Sequence, residues 1–392
     1  MGKPKGLWET KVLQWLKPTK GESRKGEVEV MATTNYNVVK SYVKDVLMGV
    51  LCGELSAKDV GACMIWGPPG IGKSALVKTV AEECGVPMVD IRLAQMESID
   101  IRGLPVPDKD DKSVSWFPSK IFPKTEEGGI IFLDELSACP KDVQAASYEL
   151  ILDRQLGGGE VYKVPEKWII VAAGNRTSDS AISIRMSSAL ANRVTHFELD
   201  VNFDDWMNWA ISKGIHPSVV SYLKTNPKNL HLTEDQNLER GFPTPRSWER
   251  VSAITYFIKD MNVLDAAVKG LVGEAAGREF MNHHKSNRVF GDVLEMMTNP
   301  NAPIVIPKTI GDKWAMTSAM VYHLWHGKSE SDTSNRLNGF FRIASELNAS
   351  FSTMVQTAAC DTIQHRKIVM TSPKYREWRN KFKDSINQSY EV

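Results

Sequence analysis

The sequence predicts an α/β fold, with a parallel sheet between helices, followed by an all-helical second half. Apolar runs of strand length alternate with helical patterns over the first 200 residues, and one of them leads into a glycine-rich loop and a helix. From Phe203 onward the periodicity is helical. The apolar runs predict five strands, at 62–66, 87–93, 128–133, 168–173 and 195–199.

The loop from Gly67 to Ser74 reads GPPGIGKS and fills every position of the phosphate-binding pattern. Its glycines let backbone N–H groups turn toward a polyphosphate, and the following helix, 75–84, adds the positive end of its dipole. Lys73 supplies a point charge and Ser74 a hydroxyl ligand for Mg²⁺. A chance glycine-rich turn would seldom match in full between a strand and a helix. The predicted binding residues are Gly67, Pro68, Pro69, Gly70, Ile71, Gly72, Lys73, Ser74 and Ala75.

Two carboxylates, Asp134 and Glu135, directly follow the apolar run 128–133. The carboxyl end of a buried parallel strand is where magnesium and water chemistry belongs beside a phosphate loop. Asp134 is therefore predicted to hold Mg²⁺ together with Ser74, and Glu135 to polarise the attacking water as general base. The alternative, that both carboxylates only cap the next helix, is less favoured once the upstream loop is considered.

Three polar residues further along are candidates to complete the site. Asn175 follows the run 168–173 and can orient water or contact the terminal phosphate, although a turn asparagine explains the local sequence equally well. Arg193 precedes the last strand and can face a neighbouring subunit, where its permanent charge would stabilise a phosphoryl group; an ordinary surface salt bridge is the alternative. Arg246 follows Thr244 and Pro245 in the first turn of a helix. A cation in that turn opposes the helix dipole, so Arg246 would be better placed with an anion such as a bound phosphate beside it.

Composition narrows the classes of protein. The chain has 392 residues, 42% hydrophobic and 24% charged, which suits two or three globular domains. A net charge of +1 gives no global attraction to nucleic acid or an acidic membrane. Five cysteines without paired spacing predict reduced thiols in a cytoplasm, with no disulfide and no zinc. No run has the length of a membrane span or of a signal peptide, so no membrane partner is expected.

Several segments carry weaker signals. The lysine-rich stretch 1–30 predicts an appendage or linker, with a docking segment as the less favoured interpretation. Hairpins are predicted at 104–117 and 157–164. The histidine pairs His283/His284 and His323/His326 are interpreted as polar or interfacial residues rather than metal ligands. The basic aromatic stretch 374–383 favours a helix that packs on the preceding region over a nucleic-acid contact.

Five segments together resemble an AAA+ ATPase, within the MoxR-like and dynein-related group: GPPGIGKS at 67–74, GGIIFLDEL at 128–136, IIVAAGN at 169–175, LANRV at 190–194 and TPRSWERVS at 244–252. By this resemblance Lys73 and Ser74 belong to Walker A, Asp134 and Glu135 to Walker B, Asn175 is sensor 1, Arg193 is the arginine finger and Arg246 is sensor 2. The two hairpins are similar to the helix-2 insert and the pre-sensor-1 hairpin of that group.

The resemblance implies an AAA+ module with a five-stranded parallel sheet at 31–200, an α-helical lid at 201–275 and a further helical region at 276–392. It implies ATP and Mg²⁺ as cofactors and a ring, usually a hexamer, in which the arginine acts in trans. The implied task is to remodel or activate a partner protein, often one with a von Willebrand factor type A domain. The alternatives are a motor that remodels or translocates nucleic acid, and a nucleotide-binding kinase or scaffold.

Overall fold

The computed structural model describes residues 33–110, 112–157, 161–176, 188–232, 240–286, 293–326 and 329–383. The predicted appendage at 1–30 and the tip of the second hairpin, at 158–160, lie outside them. The strands are β1 (Ala62–Trp66), β2 (Met88–Arg92), β3 (Leu104–Asp108), β4 (Ser113–Phe117), β5 (Gly129–Asp134), β6 (Gln155–Leu156), β7 (Tyr162–Lys163), β8 (Trp168–Gly174) and β9 (Val194–Glu198).

The central sheet has five parallel strands in the order β2-β5-β8-β1-β9. The predicted five-stranded parallel sheet is confirmed, with strand ends that differ by at most one residue. β1 and β8 are buried on both faces, which explains why they read as continuous apolar runs. Neighbouring residues of β1 point to opposite faces: Cys63 and Ile65 belong to one apolar cluster, and Met64 belongs to the other.

Helices cover both faces of the sheet. α1 (Tyr36–Leu51) and α3 (Lys73–Cys84) pack on one face, and α5 (Lys141–Asp153) packs on the other. The shorter helices of this half are α2 (Ala57–Val60), α4 (Ser98–Arg102) and α6 (Ser188–Ala191). α3 begins at Lys73 because Gly72, in the left-handed conformation, precedes it as the N-terminal cap. The phosphate loop therefore ends directly in a helix N-terminus, as the sequence predicts.

Both predicted hairpins exist as antiparallel pairs. β3 pairs with β4, and β6 pairs with β7. Residues 104–107 of β3 and every residue of β4 are exposed, and neither strand joins the central sheet. The second hairpin uses Gln155–Leu156 and Tyr162–Lys163, so it begins two residues earlier than the predicted 157–164.

The rest of the described chain is helical. The helices are α7 (Phe203–Ser212), α8 (Pro217–Thr225), α9 (Pro245–Phe257), α10 (Met261–Val272), α11 (Glu274–Ser286), α12 (Val293–Thr298), α13 (Ile310–Trp325), α14 (Glu330–Ala344), α15 (Ala349–Ala359), α16 (Ile363–Thr371) and α17 (Pro373–Lys381). They surround two apolar clusters, one centred on Trp248 and the other on Phe340. The domain boundaries given above stay predictions. Among the described residues, no helix combines the length and the apolar character that a bilayer-spanning segment needs.

The weaker predictions for this half have clear outcomes. Trp378 and Phe382 are buried in the cluster around Phe340, so the interpretation of stretch 374–383 as a packing helix is confirmed. His283 and His284 lie within hydrogen-bond distance of serine hydroxyls, at 3.1 Å from Ser221 Oγ and 2.9 Å from Ser218 Oγ, as expected for polar histidines.

Candidate nucleotide-binding site

The glycines of the phosphate loop are required by close neighbours as well as by backbone shape. A Cβ on Gly67 would lie 2.4 Å from the carbonyl oxygen of Leu199, so no other residue fits. Gly70 has a φ of +79°, and a Cβ there would lie 2.9 Å from Thr244 Oγ1. The loop is therefore pressed between the end of the sheet and the start of α9, which leaves a cradle free of side chains for a polyphosphate.

Lys73 connects the loop to the end of β8. Its ammonium donates to the carbonyl oxygens of Gly67 at 2.6 Å and Pro68 at 2.9 Å, and to Asn175 Oδ1 at 3.0 Å. The residue is only 8% exposed, so its charge is held inside the loop. Lys73 and Asn175 are 102 residues apart in sequence, and the parallel order of β1 and β8 brings them into contact. Both groups are placed to bond phosphate oxygens.

The carboxylates at the end of β5 meet the loop. Ser74 Oγ donates to Asp134 Oδ2 at 2.8 Å, and the backbone N–H of Glu135 donates to Asp134 Oδ1 at 2.9 Å. A hydroxyl beside a carboxylate is an oxygen donor set that suits Mg²⁺. Burial, and after it the negative charge of Asp134, raises the pKa of the Asp90 carboxyl on the neighbouring strand β2. The residues thus fit a divalent cation.

Glu135 is exposed and has a φ of +60°, in the left-handed region that residues with a Cβ rarely adopt. Such backbone strain persists only where surrounding contacts hold it, and it is common at active sites. The turn that carries Glu135 therefore has a fixed shape, in keeping with a group that must meet a water molecule at a defined position.

Beside the loop lies a cavity of about 150 Å³ between the α/β half and the helical half. Gly70, Ile71, Gly72 and Ala75 line its floor, and the exposed Arg246 lines its rim. The N–H of Arg246 also donates to the carbonyl oxygen of Gly70 at 3.2 Å, so α9 begins in direct contact with the loop. The cavity can hold the base and ribose of a nucleotide whose phosphates lie on the loop.

Sequence reasoning missed the aromatic walls of this cavity. Tyr36, Trp206 and Trp209 line it, from α1 and α7. Burial raises the pKa of Tyr36 to about 12. Trp206 and Trp209 lie three residues apart in α7, and such helical spacing does not distinguish a core face from one that borders a ligand.

Arg193 lies away from the loop contacts described above. It is exposed, in the turn between α6 and β9, and its N–H donates to the carbonyl oxygen of the buried Leu190 at 3.0 Å. No acidic residue of the described chain forms an ion pair with it, and it does not line the cavity. By contrast, Arg176 pairs with Glu198 at 3.4 Å. Among the described residues, the Arg193 guanidinium is therefore an exposed cation without an acidic partner. Arg185 precedes Arg193 by eight residues and would be the next candidate for an arginine that acts in trans; it lies outside the described residues.

A phosphate loop at the carboxyl end of a parallel sheet, a carboxylate pair at the same edge and a helical half that contacts the loop are the features of a P-loop nucleotide-binding site of the AAA+ type. Residues 62–194 match the model of the family described as AAA domain (dynein-related subfamily). The matched segment contains the phosphate loop, the carboxylate pair, Asn175 and Arg193, in agreement with the resemblance.

Individual relatives add little detail. The chain is 27% identical over 175 residues to Midasin of Giardia intestinalis, an alignment that covers 43% of this chain and 4% of Midasin. Among solved structures, it is similar to the RuvB Holliday junction branch migration motor of Thermotoga maritima, with a TM-score of 0.36, 18% identity and coverage of 69% and 78% of the two chains. NtrX of Brucella abortus gives a TM-score of 0.30, 13% identity and coverage of 96% and 72%. TM-scores this low carry no argument about function.

Proposed function

We propose that the protein is a magnesium-dependent ATPase that assembles into a ring and uses hydrolysis to remodel or activate a partner protein. The observation that carries the proposal is that the chain forms the phosphate and Mg²⁺ site from its own residues but leaves the candidate arginine finger exposed at the surface. Within the chain Lys73 bonds Asn175 and Ser74 bonds Asp134, whereas Arg193 is exposed and lacks an acidic partner among the described residues. A second copy of the chain would supply the missing cation.

The chain's own groups have separable roles in this proposal. Lys73 exchanges its contacts with the loop carbonyls for phosphate oxygens, and Arg246 contacts the phosphates from the lid. Ser74 and Asp134 hold Mg²⁺, which neutralises phosphate charge when bound. Glu135 accepts a proton from the attacking water, and Asn175 orients that water or the terminal phosphate. Arg193 of one copy stabilises the developing charge in the site of the next.

Arg193→Ala tests the arrangement in trans. The variant should bind ATP normally and hydrolyse it about 10³ to 10⁵ times more slowly, a barrier increase of roughly 4 to 7 kcal/mol. Arg376→Ala, which removes an exposed arginine of α17, is the matched control and should keep full turnover. Normal hydrolysis by Arg193→Ala would overturn the assignment and leave Arg185 as the candidate.

A mixing experiment tests the ring directly. Glu135→Gln and Arg193→Ala should each be nearly inactive, but mixed rings contain interfaces at which an intact Glu135 faces an intact Arg193. Turnover should therefore recover partly when the two variants are mixed and exchange subunits. If the arginine acts within its own chain, mixing restores nothing.

The exposed hairpin supports a protein partner. Leu104, Val114 and Phe117 are 56%, 53% and 58% exposed, and Val106 and Trp116 are exposed as well. A concentration of apolar side chains on a projecting element is typical of protein interaction surfaces. Pro105 and Pro107 lack N–H groups, so the outer edge of β3 is a poor template for strand pairing with another chain.

The nucleic-acid alternative has less support. Its motivation was the basic aromatic stretch 374–383, but Trp378 and Phe382 are buried and cannot stack on bases. Salt-dependent DNA or RNA binding with stimulated hydrolysis would favour it. A kinase or scaffold would instead show turnover per protein that does not rise with protein concentration.

The partner can be sought with the trapped enzyme. Glu135→Gln in ATP should hold its partner, and a second variant that adds Phe117→Ser and Trp116→Ser should release it. A specific protein retained by the first and lost from the second supports the proposal; a von Willebrand factor type A domain would match the family resemblance. Retained nucleic acid would favour the alternative motor. The unpaired cysteine spacing supports a reducing, cytoplasmic location.

A further inference from the structure

Ser137 lies two residues after Glu135, in the turn that follows β5, and its side chain is 1% exposed. Its hydroxyl makes two hydrogen bonds to the backbone of Asn175. It accepts from the Asn175 N–H at 2.9 Å and donates to the Asn175 carbonyl oxygen at 3.1 Å. Both backbone polar groups of Asn175 are therefore bonded to a single side chain, 38 residues away in sequence.

Close packing supports this contact. A Cβ on Gly174 would lie 2.7 Å from Ser137 Oγ and 2.7 Å from Met64 Cε, so the two segments approach only because residue 174 is glycine. The N–H of Leu136 donates to the carbonyl oxygen of Ala173 at 3.0 Å. The turn after β5 is thus bonded to the end of β8 through backbone and side chain together.

The side chain of Asn175 continues the network to Lys73, whose ammonium donates to Asn175 Oδ1 at 3.0 Å. Ser137 thus holds the backbone of Asn175 through two hydrogen bonds, while the side-chain amide of Asn175 faces the phosphate loop. Glu135 belongs to the same turn as Ser137, so this hydroxyl links the turn that carries the carboxylate to the residue that carries the amide.

We propose that Ser137 is a positioning residue for ATP hydrolysis. It holds the side-chain amide of Asn175 at a fixed position relative to Glu135 and Lys73. Ser137 acts through Asn175 and does not touch the nucleotide. The proposal rests on the proposed roles of Asn175 and Glu135. One buried hydroxyl bonds both backbone groups of Asn175, and removing that hydroxyl breaks both of these hydrogen bonds.

Ser137→Ala should lower kcat by about 10- to 100-fold, because a displacement of about 1 Å at a reacting group costs up to about 10²-fold in rate. The affinity for ATP should change less than about threefold, since the cradle and Lys73 remain. Ser147→Ala is the matched control. Ser147 is also fully buried, but it donates to the Val143 carbonyl oxygen of its own helix, at 2.9 Å. It should keep kcat.

A double-mutant cycle separates positioning from general stability. If Ser137 acts through Asn175, the variant with both Ser137→Ala and Asn175→Ala has the kcat of Asn175→Ala alone. Ser137→Cys, which keeps a weak donor and acceptor at the same place, should have an intermediate kcat and serves if the alanine variant does not fold. Turnover, fluorescent ATP binding and thermal unfolding are measured for each variant.

The proposal is overturned if Ser137→Ala and Ser147→Ala have equal kcat. It is also overturned if the fold-losses in kcat of Ser137→Ala and Asn175→Ala multiply in the double variant. A third contrary outcome is a loss of ATP affinity in Ser137→Ala as large as its loss of kcat. Failure of the proposed function is distinguishable, because Asn175→Ala would then hydrolyse ATP at the normal rate on its own.

Discussion

Replacing Gly70 with alanine should destabilise the protein by about 2 to 5 kcal/mol. The left-handed backbone at Gly70 costs a residue with a Cβ about 1 to 2 kcal/mol. The added Cβ would also lie 2.9 to 3.2 Å from three side-chain atoms of Thr244, and such overpacking costs about 1 to 3 kcal/mol. The contact joins the phosphate loop to the start of α9, so relief of the crowding should also stretch the Arg246 N–H bond to Gly70.

Gly85 provides the matched control. It has a φ of +66°, and nothing lies within 4 Å of a Cβ built there. Gly85→Ala should therefore lose only the backbone share of the free energy of unfolding, about 1 to 2 kcal/mol. The difference between the two variants isolates the crowding against Thr244.

Urea unfolding of the two variants measures the free energies, and titration with a fluorescent ATP analogue measures binding. Adding Thr244→Gly to Gly70→Ala should restore part of the stability, because it removes the crowding atoms and costs only a few tenths of a kcal/mol as a helix cap. The reasoning is refuted if Gly70→Ala loses no more than Gly85→Ala, or if Thr244→Gly restores nothing. Weakened ATP binding is expected for Gly70→Ala and not for Gly85→Ala.

Three further predictions follow from single side chains. Arg246→Ala should weaken ATP binding about tenfold, which corresponds to roughly 1.4 kcal/mol of binding free energy. Arg250→Ala, one turn further along α9, should leave the affinity unchanged. Equal ATP affinities of the two variants would contradict the role of Arg246. Burial raises the pKa of Tyr36 to about 12, above the unfolded value near 10, so stability is lost as pH rises from 10 toward 12. The decrease in melting temperature between pH 9 and pH 11.5 should therefore be smaller in Tyr36→Phe than in the parent. Burial, with the nearby charges of His284, Lys259 and His323, lowers the pKa of His216 to about 3, so stability is lost as pH falls below about 6.5. In His216→Gln the free energy of unfolding should therefore fall less steeply with acid than in the parent. An unchanged pH profile would contradict this.

The strands and the loop were predictable because their physical causes are local. A parallel strand covered on both faces must be apolar at every position, so β1, β5 and β8 were visible as continuous runs. The loop was visible because a polyphosphate cradle requires glycines, a lysine and a hydroxyl at fixed spacing. The carboxylates were found for the same reason, since they directly follow a strand.

Other parts of the site depend on contacts between distant segments. Ser137 belongs to a turn whose sequence carries no signal of its own, and its role is visible only beside Asn175. Tyr36 comes from α1 of the α/β half and Trp206 from α7 of the helical half, and their local periodicity equally fits a buried core. The aromatic stretch 374–383 left two interpretations open until the burial of Trp378 decided between them.

The sequence by itself determined the class of chemistry, because groups that bind phosphate and Mg²⁺ must occur in a fixed local order within the strand, loop and helix. Only the tertiary structure decided which distant groups meet. The parallel strand order brings Asn175 to Lys73, and the helical half brings Thr244 and Arg246 to Gly70. The exposure of Arg193 was likewise decided by the fold, because the ionic partners of a surface arginine come from segments that no local pattern specifies.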